Sequence, residues 1–201
     1  MLFRSASAKS LIDNKQCLEI SLEQLNREVA FMYTDAMKDK DRIGAGSILY
    51  RHDGSAEYGQ FSSYDNALIK EFSILHLEAM TPLMHIAGSK TLSNINLIIF
   101  VDNAGAVLAL SKQCSKDASL AAIVSMTWSI LAKRNINVWF SYVNTKRNPS
   151  DEASRLDSFE DFIKNNSTIR FSKIEYPLES ILEEQRDLSS KLSTLLLNSC
   201  R

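Results

Sequence analysis

Residues 29–62 read VAFMYTDAMKDKDRIGAGSILYRHDGSAEYGQFS, and the pattern within this stretch decides the fold class. Val29 to Thr34 is a near-continuous apolar run closed by Asp35, as expected of a strand covered on both faces. Lys38, Asp39, Lys40 and Asp41 make a polar turn, and Gly44 to Tyr50 is a second strand. Arg51 to Ser55 carries Asp53-Gly54 at its centre, a hairpin signal. Ala56 to Ser62 is then a third strand, in which Gly59 marks a bulge. The stretch therefore predicts an antiparallel meander of three strands.

Beyond it the period lengthens. A helix is predicted over 67–87, and Pro82 inside it predicts a kink or break, because its ring clashes with the carbonyl of Glu78. Asn96 to Val101 is a buried strand followed at once by Asp102. Residues 103–113 and 118–133 read as helices, and Asn137 to Val143 as a fifth strand. Asn148-Pro149-Ser150-Asp151 opens a helix reaching about Lys164, with Pro at its first position. Three antiparallel strands followed by strands alternating with helices predict an α/β fold. It has a mixed five-stranded sheet flanked by helices.

The flanks differ from this middle. Residues 1–28 read as a helical extension, with Ser21 and Gln24 at capping-box spacing. Its first twelve residues carry Arg4, Lys9 and three serines without an acid, which suits either an organellar transit segment or a frayed or excised start. Residues 165–201 form a second extension: a β-like piece at 168–174, then a helix over 178–199. Leu178, Ile181, Gln185, Leu188, Leu192, Leu195 and Ser199 follow a heptad seam there, for a partner helix or for the chain's own core. The domain proper is thus 29–164, expected to stay folded on truncation after Asn165.

Composition removes several classes. At 201 residues and 45% hydrophobic, the chain can bury a core. Its longest apolar run, Leu97 to Val101, is far short of a membrane span. Cys17, Cys114 and Cys200 are an odd number without metal-ligand spacing, which points to a reducing, intracellular compartment. The formal net charge of −1 carries no nucleic-acid signal, so any such contact must be local.

Four acids sit where elements end or converge. Asp35 and Asp102 follow apolar strands, Glu78 lies within a helix, and Asp151 lies in the first turn of another. If the two strands are neighbours, all four carboxylates converge at one end of the sheet. Clustered carboxylates repel unless a cation intervenes. Magnesium prefers carboxylate, water and phosphate oxygens, and a pair about 4 Å apart supports phosphodiester hydrolysis. The three histidines, His52, His76 and His85, have no zinc-site spacing. Each acid alone also has a structural reading: Asp35 as a turn residue, Asp102 and Asp151 as helix caps, and Glu78 as a solvent-facing position.

FMYTDA (31–36), GAGSILY (44–50), SILHLEAM (73–80), IIFVDNAGAVLAL (98–110) and YVNTKRNPSDEASR (142–155) resemble the ribonuclease H domain of retroelement reverse transcriptases. The flavour is that of tyrosine-recombinase retrotransposons and pararetroviruses, and the resemblance spans about residues 29–160. It implies an RNase H-like fold with strand order 3-2-1-4-5. It also implies metal-dependent hydrolysis of the RNA strand of RNA–DNA hybrids by two Mg²⁺ ions, with Mn²⁺ as an alternative. It carries the catalytic and metal-binding roles onto Asp35, Glu78, Asp102 and Asp151. The match departs from the family at the loop before Asp151, which has no histidine, and at Met37, where a small polar residue is commoner.

Under this resemblance Lys112, Lys116, Lys133, Arg134, Lys146 and Arg147 are candidate phosphate ligands, and Asn103 a candidate sugar contact or a helix cap. Hybrid recognition then runs through shape and the 2′-hydroxyls. Trp128 and Trp139 read as core residues; His76 and His85 read as helix-surface or packing residues. The implied protein partner is a polymerase domain or another chain docking on residues 178–199. Two competing readings remain. One is a catalytically silent, domesticated domain serving as a structural subunit of a replication or ribonucleoprotein complex, in an organelle if the transit reading holds. The other is a DNA-directed nuclease of the same fold.

Overall fold

Burial alternates along strand β1 (Val29–Lys38): Ala30, Met32 and Thr34 are fully buried on one face, while Val29 and Phe31 on the other remain exposed. The strand is therefore fully covered on one face only. Strands β2 (Ile43–Tyr50) and β3 (Ser55–Ser63) complete the antiparallel meander. β4 (Asn96–Val101) pairs in parallel with β1, and β5 (Asn137–Tyr142) in parallel with β4. These facts come from a computed structural model, which describes residues 26–155 and 159–199.

The sheet has six strands rather than five. β6 (Arg170–Lys173) adds itself in parallel beside β3, giving the order β5-β4-β1-β2-β3-β6. Four residues, three of them exposed, leave β6 without a hydrophobic period, which is why the sequence shows only a β-like piece there. The expected bulge at Gly59 is absent, because Gly59 pairs regularly with Ser47. Instead, the Tyr176 ring lies over Gly59, where a Cβ would come within 2.0 Å of it.

The region read as one helix over 67–87 is two: α1 (Asn66–Glu71) and α2 (Ile74–Gly88). Ser73 caps α2, and the His76 side chain returns to the Ser73 backbone, a capping box that restarts the helix after the buried Phe72. Pro82 does not break α2. Residues 76–86 are buried throughout, and packing against β1 on one side and α4 (Ala118–Lys133) on the other holds the helix together. Helix α3 (Ala104–Lys112) follows β4. The helix predicted from Asn148 to Lys164 is described as α5 (Ser150–Arg155) and α6 (Phe159–Asn165).

The main core lies between one sheet face and α2, α3 and α4. A smaller one, Ile48, Ala56, Ala153 and Phe159, lies on the opposite face beneath α5 and α6. Helix α7 (Leu178–Ser199) packs on α4: Ile181, Leu182 and Gln185 are buried, and the Gln185 amide bonds Ser119. The seam from Ile181 to Leu188 thus serves the chain's own core, and the segment beyond Asn165 supplies both a strand and core side chains. His76 and His85 are buried, not on the surface. The transit-like and capping-box readings over 1–25 lie outside the described residues. No helix among the described residues is long and apolar enough to cross a membrane.

Candidate metal centre

Parallel pairing of β1 with β4 ends at Thr34 and Val101, so the next residues, Asp35 and Asp102, stand side by side where the strands part. β1 itself continues to Lys38 along β2, placing Asp35 opposite Gly46 rather than at a strand end. Helix α2 packs on β1 and carries Glu78 to the same point. One carboxylate oxygen from each of Asp35, Glu78 and Asp102 falls within 4.8 Å of the others. Asp35 and Glu78 are each 3% exposed; Asp102 is half-buried and opens the cluster to solvent.

The loop and helix after β5 brace this arrangement. Thr145 Oγ1 donates to Asp102 Oδ2 at 2.9 Å. Buried Asn148 donates to the Thr34 carbonyl at 2.9 Å and accepts from the Ser150 hydroxyl at 2.6 Å, fastening the start of α5 beside Asp35. Ser154 Oγ donates to Asp35 Oδ2 at 2.5 Å. This close seat requires glycine beneath it. A Cβ on Gly46 would lie 2.3 Å from both the Ala153 carbonyl carbon and the Ser154 nitrogen. Asp151 is outside the trio. Arg155, one helical turn on, bonds both its carboxylate oxygens, at 2.9 and 3.2 Å.

Electrostatics mark the trio as a set of groups in conflict. Burial pushes the Asp35 carboxyl up from 3.8 to about 7, the charges of Asp102 and Asp151 add to this, and the Ser154 bond opposes it. Burial likewise raises Glu78 from 4.5 to about 10, helped by its hydrogen bond to Asp102 and the charges of Asp102 and Asp35. Among the described residues, Glu78 Oε2 has no hydrogen-bond partner although it is buried. An all-oxygen donor set with an orphaned buried oxygen fits a hard divalent cation, which removes both the repulsion and the unmet polar demand.

The predicted nucleic-acid contacts divide by position. Exposed Lys146 and Arg147 sit in the short 3-10 turn after β5, at the acid end of the sheet. Lys133 and Arg134 lie at the other end: they close α4 just before β5 begins. The Arg134 guanidinium is engaged by the Ala87 and Ser89 carbonyls, a structural role. Lys112 is the last residue of α3, eight residues and hence about 12 Å along the axis from Ala104 at its start, and exposed Lys116 follows in the next loop. Asn103 caps α3, its Oδ1 accepting from Gly105 and Ala106 at 2.9 and 3.1 Å. Thr145, Asn148, Ser154 and Gly46 are not singled out for the site by the sequence, where Asn148 stands only as the start of a helix. The one signal for them is that Ser154 follows Asp151 by three residues, one helical turn.

No family model and no curated protein matches the sequence. Among solved structures, ribonuclease H1 from the halophilic archaeon Halobacterium salinarum NRC-1 aligns with TM-score 0.52 and 13% identity, over 66% of this chain and 98% of that one. LC11-RNase H1 in complex with an RNA/DNA hybrid gives TM-score 0.49 and 13% identity, over 66% and 99%. An N-terminal RNase H domain from Mycobacterium tuberculosis gives 0.44 and 11%, over 70% and 96%. The first of these likenesses is one of fold: about two thirds of this chain has the RNase H-like architecture.

Proposed function

We propose that the protein is a metal-dependent endonuclease that hydrolyses the RNA strand of RNA–DNA hybrids, by a two-metal route, within a domain of retroelement origin. The observation that carries this reading is the convergence of Asp35, Glu78 and Asp102 within 4.8 Å where two parallel strands part, on an RNase H-like sheet. The quoted motif series from FMYTDA to YVNTKRNPSDEASR supports the retroelement source.

Asp35, Glu78 and Asp102 are the residues to hold a first Mg²⁺ or Mn²⁺, and Asp151 is the further donor beside Asp35. A divalent cation bound there supplies a Lewis acid for the phosphate and an acidified water as nucleophile. Thr145 keeps the Asp102 carboxylate oriented through its 2.9 Å bond. Half-buried Asp102 faces the open side, where substrate must approach. Lys146 and Arg147, exposed in the adjoining turn, are the proposed ligands for backbone phosphates.

Competition separates this reading from a DNA-directed nuclease. When a labelled RNA–DNA hybrid, duplex DNA and duplex RNA are offered together with Mg²⁺, the RNA strand of the hybrid is cut and the duplexes survive. Preferential cutting of duplex DNA would replace the proposed substrate.

A further inference from the structure

We infer that Ser154 is a positioning residue: its hydroxyl holds the Asp35 carboxylate in the orientation that receives the divalent cation. The inference rests on the metal-dependent reading above and adds a residue to it.

Three observations carry it. The Ser154 hydroxyl has one hydrogen and two acceptors within reach, Asp35 Oδ2 at 2.5 Å and the Asp151 carbonyl at 3.0 Å. The closer acceptor, the carboxyl oxygen of Asp35, takes the hydrogen. Ser154 is 1% exposed and Asp35 3%, so water does not substitute for this bond. The Ser154 backbone is itself tightly packed. A Cβ on Gly44 would lie 2.5 Å from its carbonyl oxygen, a Cβ on Gly46 would lie 2.3 Å from its nitrogen, and Gln60 grips the preceding carbonyl at 3.0 Å. The hydroxyl is thus a fixed post against which a buried carboxylate is set. Because α5 also carries Asp151, one short helix registers Asp35 against that neighbouring acid. Groups that orient metal ligands in this way typically change metal affinity about 10- to 100-fold when removed.

The test compares wild type, Ser154→Ala, Ser154→Thr, Asp35→Asn and the Asp35→Asn/Ser154→Ala double variant. Mg²⁺ and Mn²⁺ binding is measured by calorimetry without substrate, and thermal unfolding is measured without metal. Ser154→Ala is expected to keep a cooperative metal-free transition yet bind the cations about 10- to 100-fold more weakly. Restoration by Ser154→Thr, which keeps the hydroxyl, supports the inference. So does a double variant that binds no more weakly than Asp35→Asn alone, because the serine acts through that carboxylate. Wild-type affinity in Ser154→Ala, or additive losses in the double variant, overturns the positioning role and leaves the nuclease reading intact. Absence of cation binding by wild type overturns both.

Discussion

Asp35 and Glu78 retain protons in the folded chain at pH values where an unfolded chain has released them, since burial lifts them from 3.8 to about 7 and from 4.5 to about 10. The sign follows directly. The Asp35 contribution is fully present below about pH 3.8 and is lost as pH rises through about 7, where Asp35 must ionise inside the fold, while that of Glu78 is fully present below about pH 4.5 and is lost only as pH rises through about 10. Metal-free protein should therefore show a falling unfolding midpoint between pH 5 and pH 8, and saturating Mg²⁺ should flatten that fall. A midpoint that rises over this range would place the carboxyls elsewhere. Glu78→Gln imitates the protonated acid already present at pH 7. It should move the metal-free midpoint by no more than about 2 °C while abolishing the Mg²⁺ response. The acids were legible because each follows an apolar run or sits on a periodic helix. Their supports were not, because Ser, Asn and Thr have no period and their partners lie far away in sequence: Ser154 reaches Asp35 and Asn148 reaches Thr34.

At the scale of elements, helix α5 is six residues long, too short to be stable by itself. It is held by the Asn148 anchor, the Ser154 bond and the close approach of Ala153 and Ser154 to the β2 glycines. Gly46→Ala would drive a methyl into the backbone of residues 153 and 154, and neither side is a flexible side-chain end. Overpacking of this kind costs about 1–3 kcal/mol. A lowered unfolding midpoint together with weakened Mg²⁺ binding is expected, and wild-type values for both would show that α5 is not fixed by this contact. The strands carrying strong apolar runs were readable, as were α3, α4 and α7. The failures share a cause, in that tertiary contacts override local signals. Burial on every side keeps α2 continuous through Pro82, a tyrosine ring rather than a bulge accounts for Gly59, and β6 exists only because β3 offers an edge.

Across the whole molecule, the C-terminal segment is built into the fold. Tyr176 bonds Ser47 at 2.5 Å, Ser47 bonds buried His85 at 2.6 Å, and Ile181 and Leu182 complete the main core. Truncation after Asn165, which the sequence alone suggested would be harmless, should therefore destabilise the chain. Losing two buried aliphatic side chains removes about 3–6 kcal/mol of burial, and an unchanged thermal transition would contradict this. Charge is arranged on the same scale. With a net charge of −1, affinity for a polyanion must come from a local patch, and only Lys146 and Arg147 of the paired basic positions lie at the acid end. Lys146→Ala and Arg147→Ala should each weaken hybrid binding and lower its salt-dependence slope by about 1. Lys133→Ala, at the far end, should leave both unchanged.

The most direct test of the metal centre is cleavage of a labelled RNA–DNA hybrid with Mg²⁺, run beside EDTA and beside Asp102→Asn, which removes a ligand with almost no change in volume. Cutting of the RNA strand by wild type, absent from both controls, is the predicted result. No cutting by well-folded wild type with Mg²⁺ or Mn²⁺, or undiminished cutting by Asp102→Asn, would contradict it.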